Sequence, residues 1–194
     1  MNSSPDGRPL GPRLKDEVRR EIARLRLAME QLDHVNDERD AIAVPKRASA
    51  CDGARNEDNP DTAMIAALAR IKGVGSNDAS VLVREAFWRK FANRREIAAW
   101  SGFAPTPWAS GTINRDQGIT KAGPAAFRAY VIQLTWRWLQ WQPQSQLARW
   151  FGERTNGASG RVRRIMIVAL ARKLLVSLWR YATTGLLPTG AVVT

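Results

Sequence analysis

Apolar positions along the chain fall into two blocks of helical repeat, separated by a stretch with none. Val18, Ile22, Leu25, Met29 and Leu32 recur at alternating steps of four and three, with Arg, Glu and Asp on the other faces. This heptad seam predicts a coiled-coil-like helix over residues 14–43, with Asn36 as a polar core position. About three heptads are marginal in isolation. The seam therefore predicts a homo-oligomer or a partner chain packed through residues 14–36, or a returning helix; a helix lying on its own domain fits the pattern equally well. Residues 1–13 are rich in Pro, Gly and Ser and read as a disordered tail. Residues 44–60 have no periodicity and many turn formers, and read as a linker.

Residues 61–194 predict a second domain with at least five helical segments and no convincing strand. Asp61 to Arg70 is apolar at Met64, Ile65 and Leu68; a turn over Lys72 to Ser76 leads to a helix from about Asn77 to Phe87 with Val81 and Leu82 inward. Asn93 stands three residues before Glu96, a capping-box-like start for a short helix ended by Gly102. Pro105 and Pro107 impose extended chain. Pro124, at a favoured first helical position, opens a helix to Gln142 with the stripe Phe127, Val131, Leu134, Trp138 and Trp141. Ser145 is placed to cap a helix through Arg154. The last helix, Arg161 to about Thr183, is apolar on most sides and is expected to be largely buried. The class is all-α, with an amino-terminal coiled-coil-like helix followed by a helical domain.

Composition narrows the function. A chain of 194 residues that is 44% apolar, with eight tryptophans, can bury a substantial core. No apolar run approaches the roughly 18 residues of a membrane span, and the amino terminus lacks the apolar stretch of a secretory signal. The expectation is a soluble cytoplasmic protein with no membrane partner. One cysteine, Cys51, and one histidine, His34, exclude an internal disulfide, a Cys/His zinc set and a histidine-based hydrolase triad. No metal site or cofactor is expected in this chain, and His34 is expected to face solvent. The net charge is +12, and it is unevenly placed: residues 1–60 carry 11 Lys and Arg against 12 Asp and Glu, whereas residues 61–194 carry 19 against 6. A solvated basic surface is one reading; an excess so concentrated and so rich in arginine points to a polyanion, nucleic acid foremost.

Two segments carry candidate chemistry. In LARIKGVGSNDASVLV, residues 68–83, one helix ends in a glycine turn and another starts at once, with Ser76 as the expected cap. Glycines permit positive φ and leave backbone N–H groups uncovered at a helix start, so Lys72, Gly73, Gly75 and Ser76 form a candidate phosphate grip of helix-hairpin-helix type. A tight turn between helices is the plain alternative. The second segment is PWASGTINRDQGITKAG, residues 107–123, where Ser110 precedes Gly111 and is followed by Arg115, Lys121 and Arg128. A serine hydroxyl can attack a phosphodiester when cations hold the phosphate and stabilise developing charge, although Ser-Gly pairs mostly make turns. The tryptophans are assigned mainly to the core; Trp136, off the apolar stripe, is free to stack on a base.

A coiled coil, then I-x-G-V-G, F-x-N-R-R-E-I-A-A-W-x-G-F-A-P, A-S-G, R-x-x-G-I-T-K-x-G and R-I-M-I-V-A-L-A-R-K-L, in that order, resemble the carboxy-terminal domain of the DEDD insertion-sequence transposases, the IS-one-ten family. The resemblance covers about Leu14 to Gly190. It implies a transposase or DNA recombinase that acts on DNA with a guide RNA, with Ser110 as the residue that becomes linked to DNA and Arg115, Lys121 and Arg128 as its cationic support. The family joins this domain to a RuvC-like domain with four acidic metal ligands. Nothing before the coiled coil reads as that domain, so the chain is expected to be truncated or split, inactive alone, with magnesium needed only in the missing part. Where the family pattern has Lys-Arg-Gly, this chain has Lys121, Ala122 and Gly123, one cation fewer. A non-catalytic nucleic-acid-binding remnant or accessory module, and a purely structural helical protein, are the competing readings.

Overall fold

The computed structural model describes residues 11–43, 60–110 and 113–193, with the side chains of 42–43 and 107–117 outside that description. Most of the expected tail and linker, Cys51 and Gly111 also lie outside it. The chain divides into two units, Met1–Ala41 and Ile42–Thr194.

The first unit is built on α1, Pro12–Ala43, a helix of 32 residues. Taken by itself, α1 leaves Val18, Ile22, Leu25, Met29 and Leu32 open to solvent. Its polar faces are laced by Arg19–Asp16 and Arg24–Glu21 one turn apart, and His34 reaches Glu38 at 3.2 Å. Such exposed pairs contribute only a few tenths of a kcal/mol each.

The second unit is helical, as its periodicities predict. Its order is α2 (Pro60–Ala69), α3 (Ser76–Leu82), a π-helical turn (Val83–Phe87), α4 (Arg94–Trp100), strands β1 (Pro105–Ser110) and β2 (Ile113–Ile119), then α5 (Ala125–Trp141), α6 (Gln146–Thr155) and α7 (Gly160–Thr184). Helix α7 is the spine, packing against α2, α4, α5 and α6. Leu174, Leu175 and Leu178 on its inner face are fully buried and share a core with Leu68, Leu82, Ile97, Phe103, Leu134 and Trp138, while buried Leu170 packs in a second cluster with Ile167 and Phe151. Burying each such side chain stabilises the fold by about 1.5–3 kcal/mol. No helix of the described residues is long and apolar enough to cross a membrane.

Local capping signals set the starts of α4 and α6. The Asn93 side chain accepts from the Arg95 and Glu96 N–H groups, and Glu96 accepts in turn from Ala92 and Asn93. Ser145 accepts from the Ala148 N–H to cap α6 and also takes the indole N–H of buried Trp138. Three expectations need correction. Residues 105–110 and 113–119, where no strand was expected, pair as antiparallel strands β1 and β2, with Trp108 opposite Arg115 and Ser110 opposite Ile113. Pro124 is the residue before α5 rather than its first helical position. Trp141 ends the stripe but stays 49% exposed, because α5 runs past the core edge there.

Candidate nucleic-acid interface

Two places in the second unit have the ingredients of an anion site, and they are built differently. The first is the turn between α2 and α3. Gly73 adopts φ 87°, and a Cβ there would stand 2.7 Å from the Trp141 Cβ, so only glycine lets the turn pass beneath that indole. Above it, the Lys72 ammonium lies 5.9 Å from the ring centre. The turn is also tied to the carboxy-terminal segment: Gln142 donates to the Lys72 and Val192 carbonyls and accepts from the Val192 N–H, while the Lys72 N–H donates to Val192.

Helix α3 starts one residue earlier than expected, with Gly75 at the cap position and Ser76 already helical. The Gly75 N–H, expected to face an incoming phosphate, donates to the Asp78 carboxylate at 3.0 Å. Asp78 is 2% exposed and also takes both guanidinium nitrogens of Arg137, at 3.0 and 2.6 Å, and the Tyr130 hydroxyl. Burial first, and then the bond to this carboxylate, push the Tyr130 hydroxyl well above the usual tyrosine range. The positive end of α3 therefore holds an anion from its own chain. This cluster was invisible in the sequence, where Asp78 is one acid among many bases.

The second place is a groove of about 1390 Å³ between α4, the root of the hairpin and the outward face of α7. Arg94 and Arg95 line it from α4, and Lys121 from the turn after β2. Arg161, Arg164, Arg172 and Lys173 line it from α7, and Phe103, Ile119, Ile165 and Val168 supply apolar surface. Among the described lining residues there is no Asp or Glu. Helix α7 has no acid in its first turn and starts GRVRR, so arginines crowd its positive end. Like charge there works against the helix dipole, by about 0.3–1 kcal/mol per residue at an exposed position, and an arriving anion removes the conflict. The expectation that α7 is largely buried holds for one face only; Ile165 on the other is 54% exposed. The groove arginines were missed although a signal existed, since Arg161, Arg164, Val168 and Arg172 recur at helical steps.

Of the residues assigned to the serine site, the structure brings Lys121 to the groove and places Arg128 elsewhere. Lys121 adopts φ 56°, and its N–H donates to Gly102. Arg128 is half-buried and donates to the Gly123 carbonyl at 3.2 Å, bracing the loop that passes the end of α4. That passage is so close that a Cβ on Gly123 would collide with the Trp100 carbonyl. Ser110 and Arg115 belong to the hairpin by their backbone, Ser110 at the end of β1 and Arg115 two positions into β2 beyond its partner Ile113. Pro105, at the other end of β1, lines the groove. At about 3.3 Å per residue, Ser110 stands roughly 16 Å along the strand from that root. Among the described residues no group of His, Cys, Asp and Glu could hold a metal ion.

Residues 65–150, which span α2 to the start of α6, match the family model described as Transposase IS116/IS110/IS902 family. The chain carries a region of this transposase family. It is also 45% identical over 189 residues to "Putative transposase y4rJ" of Sinorhizobium fredii (strain NBRC 101917 / NGR234). That alignment takes in 97% of this chain and 47% of the relative, so the chain spans about half the length of the curated protein it matches. The family segment contains the glycine turn, α4, the hairpin and α5; the arginine-rich start of α7 lies beyond it and is covered by the relative.

Proposed function

We propose that this chain is the DNA-binding, serine-bearing carboxy-terminal part of an insertion-sequence transposase, and that the groove between α4 and α7 is where it holds the DNA backbone. The observation that carries this reading is the groove itself: seven lysine and arginine side chains line it without an opposing acid among the described residues. The transposase family supplies the context. In this reading Ser110 is the nucleophile on the hairpin. Its hydroxyl oxygen bonds to a backbone phosphorus, the bond from phosphorus to one deoxyribose oxygen breaks, and the serine proton ends on that leaving oxygen. Arg115 offsets the charge that develops on the phosphate, and Lys121, at the root of the hairpin, holds DNA backbone further along. The acidic metal site of the family is assigned to a separate RuvC-like part, and residues 14–36 to self-association.

The test mixes the chain and nicked DNA with the remaining half of the Sinorhizobium relative, and denaturing electrophoresis then resolves protein joined to DNA. An adduct that disappears with Ser110→Ala supports the reading; the absence of any adduct sensitive to that change overturns the nucleophile. One observation favours the alternative, a binding module without chemistry: the Arg128 guanidinium is engaged in bracing Gly123, which leaves the proposed serine site one cation poorer. In that case DNA binding survives Ser110→Ala unchanged and falls steeply with salt.

A further inference from the structure

The segment FWRKFANRR, residues 87–95, leaves α3 through the π-helical turn and enters α4. A π turn places one extra residue in the helix and so rotates the residues after it. Ala86 and Phe87 remain in the core at 0% and 4% exposure, while Trp88, the next residue, is 53% exposed. The indole is not loosely placed. The Arg89 guanidinium lies 4.7 Å from the Trp88 ring centre and 5.2 Å from that of Trp100, so it bridges the two rings. Trp100 in turn packs at 5.2 Å on Phe127, which is 4% exposed, and at 5.9 Å on Phe91. A ladder of flat groups thus runs from the core outward through Phe127, Trp100 and Arg89, and Trp88 is its outermost rung. Lys90, Arg94 and Arg95 are exposed along the same segment, two to seven residues on, and the two arginines line the groove.

A flat, braced aromatic face next to a track of cations matches the chemistry of a single nucleic-acid strand, whose unpaired bases offer π faces and whose phosphates offer charge. Duplex DNA keeps its bases stacked and has no free face to offer. We propose that Trp88, backed by Arg89 and Trp100, is a stacking platform for one unpaired base of single-stranded DNA, with the neighbouring phosphates running along Lys90, Arg94 and Arg95 into the groove. The proposal rests on the nucleic-acid reading above and adds the form of nucleic acid and the residue that selects it.

The experiment measures fluorescence anisotropy of labelled oligothymidine, oligouridine and a DNA duplex with the wild-type chain, Trp88→Ala and Trp88→Phe at one salt concentration. Trp88→Ala is expected to weaken oligothymidine binding by roughly 5- to 150-fold, the range for one base on one aromatic ring. Duplex affinity stays unchanged and Trp88→Phe recovers most of the loss. Equal losses on single strand and duplex, or no loss on either, overturn the platform while leaving DNA binding intact. Tighter Trp88-dependent binding of oligouridine than of oligothymidine overturns the assignment to DNA. A wild-type chain that binds none of the three overturns the nucleic-acid reading, and this proposal with it.

Discussion

The amino ends of α3 and α7 present the same partial positive charge and solve it in opposite ways. At α3 the Gly75 N–H is met by Asp78, a carboxylate almost without solvent, which is held in addition by Arg137 and Tyr130. At α7 no acid stands in the first turn, and Arg161, Arg163 and Arg164 add their charge to the helix end. The first arrangement stabilises the fold and uses up the site. The second costs some stability and keeps the site open for an anion from outside. A glycine turn with a lysine is therefore a poorer guide to a phosphate site than the question of whether the chain already supplies the anion.

The largest test of this contrast is Asp78→Ala. It strands a half-exposed guanidinium, a tyrosine hydroxyl and a helix N–H together. The expected loss is about 2–3 kcal/mol, below the roughly 3–5 kcal/mol of a fully buried pair because the Arg137 side chain remains 44% exposed. In a thermal melt this is a fall of about 5–10 °C. A melt within a degree of wild type would show that α3 does not depend on its internal anion.

The opposite sign is expected at α7. Arg161→Glu with Arg164→Glu should raise stability by about 0.5–1 kcal/mol, since it reverses the charge at the helix end. The same pair should weaken DNA binding by about tenfold or more and lower the slope of log affinity against log salt by about two. Loss of stability together with unchanged binding would remove the distinction between the two helix ends. A third effect, on stability alone, belongs to Tyr130→Phe. The folded hydroxyl holds its proton more firmly than a free tyrosine, so its contribution is fully present below about pH 10 and is lost as pH rises beyond it. Unfolding measured against pH should therefore show an alkaline decline in wild type that is shallower in the variant, with about 1 kcal/mol between them at neutral pH.

Legibility in the sequence divides along a physical line. Features set within a few residues were legible: the extent of helix α1, the Asn93 and Ser145 caps, and the extent of α7. The hairpin was not, because β2 reads INRDQGI with no alternation of apolar and polar positions to mark a strand. The groove was not, because it joins residues 94 and 95 to residues 121 and 161–173, a convergence created only when α4 and α7 pack. Trp138 and Trp141 look alike in the stripe of α5; the first fills the core and the second roofs the Gly73 turn.

Helix α7 keeps two ledgers on one rod. Leu170, Leu174, Leu175 and Leu178 answer to packing and stay fixed as long as the protein must fold, whereas Arg161, Arg164 and Arg172, in the proposed reading, answer to what the groove holds. In a lineage that has stopped moving DNA, the arginines are free to drift while the leucines are not. The ratio of change on the two faces of this one helix, counted among close sister chains, therefore distinguishes a working element from a relic.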